Sequence, residues 1–253
     1  MSTRHTVFGA LVCLLLYTPA LSAQTAASPS ASEGWQFQVV PYLWGSGVDG
    51  GVGIGGRTAD VDASFRNILD HLHFAAMGLV EAQRNQLVLL NDTIYVDVRG
   101  QRATPGPLFS GVRPEQKVFI LTPEAGYRIL SADGASLDVV GGIRLWHLNS
   151  ELQFQPRVLP GINLQASRNW VDAIVGVRAM RELPRNWWAR AYGDLGGGGS
   201  NFTYQIVAIA GVDIHQRYAL DFGYRYLSVD YDKDNFLFDT AMKGPLFGFT
   251  IKF

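Results

Sequence analysis

The side chains in this sequence best suited to chemistry are acids and arginines that recur through its apolar segments. Arginine binds a carboxylate through two parallel hydrogen bonds, so these groups can pair when neighbouring strands turn them to the same side. Their near balance, six acids to five arginines, predicts an ion-pair network inside the fold that fixes strand register. A polar path for small solutes is the alternative. The residues are Glu81, Glu124, Arg128, Asp138, Arg144, Asp172, Arg178, Arg190, Asp194, Asp221 and Arg225.

Two groups of residues have the side-chain types that catalysis requires. The spacing of Asp213 and His215 predicts one strand face, as acid-base chemistry needs, but they adjoin a short turn, away from the predicted open rim. His147, Ser150 and Glu151 have the types of a hydrolase triad, but no nucleophile elbow or oxyanion-hole pattern accompanies them. We therefore predict no catalytic residue, and an enzyme remains the alternative.

Potential metal ligands occur in two places. Asp70, His71 and His73 lie close together, and acids cluster over 230–234. The first group overlaps the end of a short amphipathic segment, 65–72, for which we predict a helix packed over the mouth of the fold. The second is typical of a solvated loop. We expect no metal and no cofactor at either place. The apolar residues of the predicted helix are Phe65, Ile68, Leu69 and Leu72.

The chain begins with the pattern of a cleavable secretory signal peptide. Residues 1–23 combine a basic start, an apolar run over 7–17 and a small-x-small ending, LSA. We expect their removal, followed by a flexible lead-in over 24–34 and one folded domain over 35–253. Cys13, the lone cysteine of the chain, lies in the apolar run. The mature chain would therefore contain no disulfide and no thiol nucleophile.

The composition excludes some classes of protein. Removing the signal would take away one basic residue, Arg4, and no acid, so 21 basic residues become 20 against 22 acidic ones and the net charge moves from -1 to -2. A strongly basic nucleic-acid-binding protein is thereby excluded. Only 17% of the residues are charged and 28 are glycine, which is typical of a β-barrel whose outer face meets lipid.

About ten segments alternate apolar and polar residues with a period of two or form continuous apolar runs. Most are near the roughly 9 to 11 residues that a tilted strand needs to cross a bilayer. Their even number would return both ends of the chain to the same side. The predicted strands are 35–44, 73–83, 87–98, 118–130, 137–149, 170–182, 187–195, 202–214, 218–231 and 246–253.

The connections between these segments alternate in length. Four are short, at 84–86, 131–136, 183–186 and 214–217, and five are longer, at 45–72, 99–117, 150–169, 196–201 and 232–245. Short periplasmic turns opposite long extracellular loops are typical of an outer-membrane barrel. The sequence therefore predicts an all-β fold, a transmembrane antiparallel up-and-down β-barrel of about ten strands, between eight and twelve.

Aromatic side chains are predicted on the outer face of this barrel. We assign Trp35, Trp44, Trp170 and Trp187 to girdles at the membrane surfaces. The last strand places alternating large residues on one face, namely Phe247, Phe249, Ile251 and Phe253. The segment 87–98 leaves its lipid-facing side undecided, since Asn91 and Asp97 alternate out of phase with Asp92.

The opening W-x-F-x-x-x-PYLW over 35–44 and the closing GYRYLSVDYDKD over 223–234 resemble those of an uncharacterised proteobacterial family of outer-membrane β-barrel proteins. The final strand, ending in Phe253, is similar to the signal recognised by the outer-membrane assembly machinery. The resemblance implies partners in that machinery, in outer-membrane lipid and in lipopolysaccharide, but no activity. We expect a structural element or narrow pore; an outer-membrane protease or lipid hydrolase and a loop-based adhesin or receptor are the alternatives.

Overall fold

The computed structural model describes residues 34–54, 57–101 and 109–253. The predicted signal peptide over 1–23 and nearly all of the lead-in over 24–34 lie outside the described residues. This part of the chain contains twelve strands and one short helix. They are β1 (Gln36–Trp44), β2 (Gly47–Ile54), β3 (Arg57–Ala63), α1 (Phe65–Asp70), β4 (Leu72–Arg84), β5 (Leu87–Arg99), β6 (Phe109–Ala132), β7 (Ala135–Pro156), β8 (Ile162–Glu182), β9 (Trp187–Gly198), β10 (Phe202–His215), β11 (Tyr218–Lys233) and β12 (Phe236–Lys252).

Ten of the strands close into an antiparallel barrel. Strand β1 and strands β4 to β12 pair in chain order, and β12 returns to pair with β1. At the seam, Val39 of β1 lies opposite Val80 of β4 on one side and opposite Ile251 of β12 on the other. Each predicted segment corresponds to one of these strands, so the predicted fold class is confirmed.

The two ends of the barrel differ in how the strands connect. We call the end at which β1 begins and β12 ends the terminal end, and the other the distal end. Tight turns join the strands at the terminal end, where Asn85, Asp133 and Asn186 take positive φ angles of 53°, 50° and 63°. Asparagine and aspartate tolerate this conformation better than most residues, which explains their presence in the turns.

Strand pairing continues far beyond the predicted segments at the distal end. Strands β6, β7 and β8 have 24, 22 and 21 residues, so parts of two predicted long loops are extensions of the sheet. The predicted loop over 232–245 is wrong, because β11 and β12 remain paired up to a turn at Asp234 and Asn235. The connection predicted over 196–201 is also shorter, since β9 reaches Gly198.

The first distal connection contains a hairpin, β2 and β3, instead of the predicted loop. Strand β12 pairs with β1 near the terminal end and with β2 near the distal end. Gly244 lies where β12 passes from one partner to the other. A Cβ atom there would lie 2.0 Å from the carbonyl oxygen of Gly45, so the crossing requires a residue without a side chain.

The predicted helix after this hairpin is present as α1. The Ser64 side chain caps it by accepting a hydrogen bond of 3.3 Å from the backbone N–H of Asn67. None of its residues is buried, so the predicted packing of its apolar side over the barrel mouth is wrong. No helix in the described ranges is long and apolar enough to cross a membrane.

The outer surface of the barrel is a belt of exposed apolar side chains. Such a surface is unfavourable in water and is typical of a barrel that crosses a bilayer. At its distal edge the outward positions become polar, beginning with Asp97 on β5, His147 on β7 and Asn169 on β8. The belt includes Val39, Leu43, Val80, Leu89, Ile143, Val171, Val175, Val177, Leu195, Ile206, Leu220, Phe222 and Phe247.

Candidate functional site in the barrel lumen

Arg178 organises the terminal half of the lumen. Its Nη1 and Nη2 atoms donate to the two carboxylate oxygens of Glu81 at 2.8 and 2.9 Å, and its Nε and Nη2 donate to Asp138 Oδ2 at 3.0 and 2.8 Å. Arg128 also binds Asp138, at 2.7 Å. Arg190 is held more loosely, with Nη1 3.8 Å from Glu81. We call these five residues the terminal network.

A second set of pairs crosses the middle of the lumen. Arg144 donates to both carboxylate oxygens of Asp194, at 3.1 and 2.7 Å, and neither side chain is exposed to solvent. Arg225 lies 2.8 Å from Asp92, and it donates to the hydroxyl of Tyr42 at 2.9 Å. Tyr42 in turn donates to Asp92 at 2.6 Å. Each buried charge in these pairs therefore has an opposite charge within reach.

Three of the acids predicted for the network accept hydrogen bonds from neutral donors. Glu124 accepts from the Tyr192 hydroxyl at 2.7 Å, and Asp221 accepts from the Thr250 hydroxyl at 2.6 Å. Asp172 accepts from the backbone N–H and hydroxyl of Ser200 at 2.6 and 2.8 Å. All eleven predicted residues lie inside the barrel, but the network is a mixture of ion pairs and neutral donors.

Aromatic side chains fill the distal half of the lumen. The Trp170 ring stacks on Trp146, with centroids 5.4 Å apart, and on Tyr231, with centroids 4.2 Å apart. Phe238 packs against Trp170 at 6.2 Å. These four residues, all buried, form what we call the distal aromatic cluster. They leave this half of the lumen apolar and densely packed, in contrast to the terminal network.

Two tryptophans predicted for the outer girdles belong inside. Trp44 and Trp170 are each only 6% exposed. Arg225 lies over the Trp44 ring at 4.9 Å, and the Trp170 indole N–H donates to Asp172 at 3.1 Å. The indole N–H of Trp170 therefore has a hydrogen-bond partner, and the Trp44 ring has a cation on its face. Trp35 and Trp187 are exposed, at 39% and 43%, in line with their prediction.

Aromatic rings that the prediction missed lie on the outer face near the distal edge of the belt. Tyr204 stacks on Tyr226 at 5.5 Å, and Phe74 contacts Tyr95 at 5.9 Å. These rings occupy the positions at which a girdle meets the headgroups. Alternation within strands β10 and β11 would have found the first pair.

The last strand presents its predicted aromatic face to the outside. Phe249 stacks on Tyr218 at 5.7 Å, and Phe247 meets Phe222 edge-on at 5.8 Å. Phe253 is 74% exposed. The role of this face, together with Ile251, in recognition by the assembly machinery stays a prediction.

The residues with catalytic side-chain types do not meet. A bulge separates Asp213 from His215, so the predicted shared face is wrong: Asp213 binds Lys252 at 2.7 Å, and His215 packs against Tyr218. The hydroxyl of Ser150 donates to Gln116 at 2.5 Å. His147 binds Asn169, and Glu151 accepts from Gln153 and Asn163. The arrangement offers no nucleophile activated by a neighbouring base.

The two histidines considered as metal ligands have separate partners. His71 Nδ1 lies 2.8 Å from the backbone oxygen of Asn67, whereas His73 Nδ1 lies 3.2 Å from Asp97. Within the ranges described, no three histidine, cysteine or acidic side chains are arranged to hold a metal ion. Of the acids over 230–234, Asp230 lies opposite Asp239. Burial and the nearby charge of Asp230 raise the pKa of Asp239.

Asp97 belongs to a polar cluster on the outer face, beyond the apolar belt. Arg99 binds it at 2.8 Å, and Lys117 binds Glu115 at 2.7 Å on the adjoining strand. Burial beneath these side chains would raise the pKa of Asp97, but the hydrogen bonds from Arg99 and His73 outweigh it and hold the pKa below its usual value.

The structure shows which side of strand β5 faces the lumen, a point that the sequence left undecided. Val88, Leu90 and Ile94 are buried in the lumen, and Asp92 shares their face and pairs with Arg225. Outside, the amide of Asn91 donates to the Thr93 hydroxyl at 3.2 Å. Sequence reasoning missed Asp92 as a lumen residue because Asn91 and Asp97 fall on the opposite face.

Two cavities follow one another along the lumen. The inner cavity, of about 100 Å³, lies between the middle pairs and the terminal network. The outer one, of about 460 Å³, opens at the terminal end beside Trp188, Asp213 and Lys252. Arg190 lines both cavities and packs on the Trp188 ring at 5.1 Å. It therefore forms the partition between them.

The Trp188 ring needs an unusual space on the neighbouring strand. It lies over Gly211, where a Cβ atom would be 2.1 Å from the ring. Glycine at this position allows a large ring to lie within the barrel at the terminal end. The ring in turn supports the Arg190 side chain, so a glycine on β10 helps to position the partition.

No model of a known protein family matches the chain, and a search of curated proteins finds no match. Solved structures are similar in fold at low sequence identity. The outer membrane protease OmpT from Escherichia coli is 9% identical, with 89% of this chain and 99% of that one covered and a TM-score of 0.49. The translocator domain of the autotransporter NalP from Neisseria meningitidis is 14% identical, with coverage of 88% and 90% and a TM-score of 0.47.

Proposed function

We propose that the chain is an integral outer-membrane β-barrel that acts as a structural element, with a lumen closed to ions. The observation that carries this proposal is the closure of the lumen by buried ion pairs at its middle and by the distal aromatic cluster. Arg144, Asp138 and Asp172 are completely buried, and Trp146 is 2% exposed. A water-filled pore would expose its lining, whereas this interior is packed and paired.

The outer surface supports the membrane assignment. An apolar belt surrounds the barrel, and both ends of the ten-stranded wall lie at the terminal end, which we assign to the periplasm. The distal extensions and the polar cluster around Asp97 would then face the outside, against outer-membrane lipid and lipopolysaccharide. The aromatic face of β12 would be recognised by the assembly machinery during insertion.

A non-catalytic role fits the side chains best. Each residue considered for a hydrolase site is hydrogen-bonded to a residue outside that set. The lumen arginines lie close to carboxylates. The similarity to OmpT, a protease, does not bring its activity to this chain. What supports the proposal is the separation of Ser150, His147 and Glu151 onto different hydrogen-bond partners.

A narrow pore is the second candidate, and one observation favours it. The inner cavity and the terminal-end cavity are separated by Arg190, whose nearest carboxylate oxygen is 3.8 Å away. A displaced Arg190 would join the two cavities. The distal aromatic cluster would still have to open before solutes could cross.

Planar-bilayer conductance tests the proposal directly. We expect purified, reinserted protein to give no steady ion current, because the aromatic cluster excludes water from the distal half. The Trp146→Ala/Trp170→Ala/Arg190→Ala variant, with its folding checked by circular dichroism, removes both the cluster and the partition and should give current. Reproducible single-channel steps in the wild-type protein would contradict the closed barrel and establish the pore.

A further inference from the structure

The inner cavity combines apolar walls with polar atoms that have no hydrogen-bond partner in the protein. Val40, Leu79 and Leu246 are among its apolar walls. Five residues that line this cavity each have a buried atom without a partner: the Thr122 hydroxyl, Gln205 Oε1, Asp221 Oδ1, Arg190 Nε and Arg225 Nε. Apolar walls around a few convergent polar groups are typical of a small-molecule site.

These polar atoms define what a ligand must offer. Arg190 Nε can only donate, whereas Asp221 Oδ1 and Gln205 Oε1 accept, and the Thr122 hydroxyl can do either. Thr122, Gln205 and Asp221 are exposed by 3%, 5% and 4%, so they are not satisfied by bulk solvent. A ligand that carries both an acceptor and a donor would satisfy them together.

The charge of the cavity argues against an ion. Its lining contains three acids and three arginines, so it has no net charge. An added cation or anion would lose its hydration and would upset this balance of formal charges. The charged residues are Asp92, Glu124, Asp221, Arg178, Arg190 and Arg225.

The size of the cavity limits the ligand. An apolar cavity of about 150 Å³ accommodates benzene, so the 100 Å³ available here suits a solute of about four non-hydrogen atoms. We propose that the inner cavity binds a small uncharged solute with both a donor and an acceptor, such as a short-chain primary amide or alcohol. The solute enters from the terminal end when the Arg190 side chain moves aside.

The site does not depend on whether the barrel conducts, because binding needs access from the terminal end alone. The aromatic cluster can remain closed while the cavity fills. A barrel that gives no ion current can therefore still bind the solute, and a conducting barrel can fail to bind it.

Acetamide and acetate form a suitable pair of probes, since they have nearly the same shape and differ in charge and donors. We would titrate each into the isotope-labelled full barrel in micelles and follow the backbone amide resonances of 205–209 and 221. We expect acetamide to give saturable shifts with a Kd at least about tenfold below that of acetate. Equal binding of the two probes, or no saturable shift with acetamide, would overturn the proposal.

Two threonines provide a matched control. Thr122 and Thr240 are both buried with partnerless hydroxyls, but only Thr122 lines the inner cavity. Thr122→Val should weaken acetamide binding by about tenfold, and Thr240→Val should change it by less than about twofold. Val207→Phe, which fills the cavity, should abolish binding. If that variant fails to fold, the threonine pair still decides, and equal effects of both threonine changes would refute the site.

Discussion

The two halves of the lumen are built from the same strands but are stabilised by opposite means. On β7, Asp138 and Arg144 hold ion pairs, and two residues beyond Arg144 the inward side chain is Trp146. On β8, Arg178 belongs to the terminal network and Trp170 to the aromatic cluster. The pleat decides which side chains point inward, and the residue type alone decides whether that level of the barrel is ionic or apolar.

The contrast has a consequence for how each half tolerates change. An ion pair removed from one side leaves a buried charge that no neighbour can replace at the same geometry. A lost ring leaves a cavity that neighbouring rings partly fill. The terminal half should therefore be the more sensitive of the two to single substitutions.

The largest effect is expected for Arg178→Ala. This change leaves Glu81 without its closest cation and Asp138 with Arg128 alone, so we expect the free energy of unfolding to fall by about 3 to 5 kcal/mol. Arg128→Ala is the matched control, because Asp138 keeps Arg178, and its loss should stay below about 2 kcal/mol. Urea-induced unfolding in lipid vesicles measures both. Equal, small losses would show that water screens the network.

An intermediate effect is expected for Trp170→Ala. The change removes the ring contacts with Trp146 and Tyr231 and the indole donor to Asp172, which should cost about 3 kcal/mol. Trp35→Ala, at an exposed outward position, should cost about 1 kcal/mol or less. The same unfolding experiment, followed by tryptophan fluorescence, compares the two. A larger loss at Trp35 would reverse the corrected assignment of the girdles.

The smallest effect is expected outside the lumen, at Asp97. Because its pKa is lowered in the folded state, its ionised form stabilises the protein above the unfolded pKa of about 3.9, and this contribution is lost as the pH falls through the lower, folded value. Asp97→Asn should therefore lower the unfolding midpoint at pH 7, and the difference should vanish in acid. Asp60→Asn, at an exposed position, is the control. A difference independent of pH would contradict the ionic role of Asp97.

The sequence predicted the wall of the barrel well because alternation is a local property. Ten strands and the inward placement of eleven charged residues followed from the period of two. The same rule would have corrected the tryptophans: Trp35 and Trp44 are nine positions apart, so a regular strand turns them to opposite sides. Trp170 is likewise two positions from the inward Asp172.

Other features depend on contacts between segments that are distant in the chain, and no local sequence pattern predicts them. The pairing of β2 with β12 unites residues near 50 with residues near 240, and glycine-rich β2 has little alternation of its own. Asp92 is identified as inward by Arg225, which lies 133 positions later in the chain. The inner cavity likewise needs strands from both halves of the sequence.

The first strand of the barrel cannot be paired on both sides until the last strand, β12, is in place. Strand β12 holds β1 through pairs such as Val39 with Ile251 and holds the distal hairpin through pairs such as Asp49 with Ala241. Contacts between residues about two hundred positions apart form slowly, because closing so long a loop costs conformational entropy before the contacts can stabilise it. A chain still lacking β12 would leave β1, β2 and β11 with open edges. Closure should therefore be a late, concerted event, and an incomplete chain should present these three unpaired edges to any neighbour.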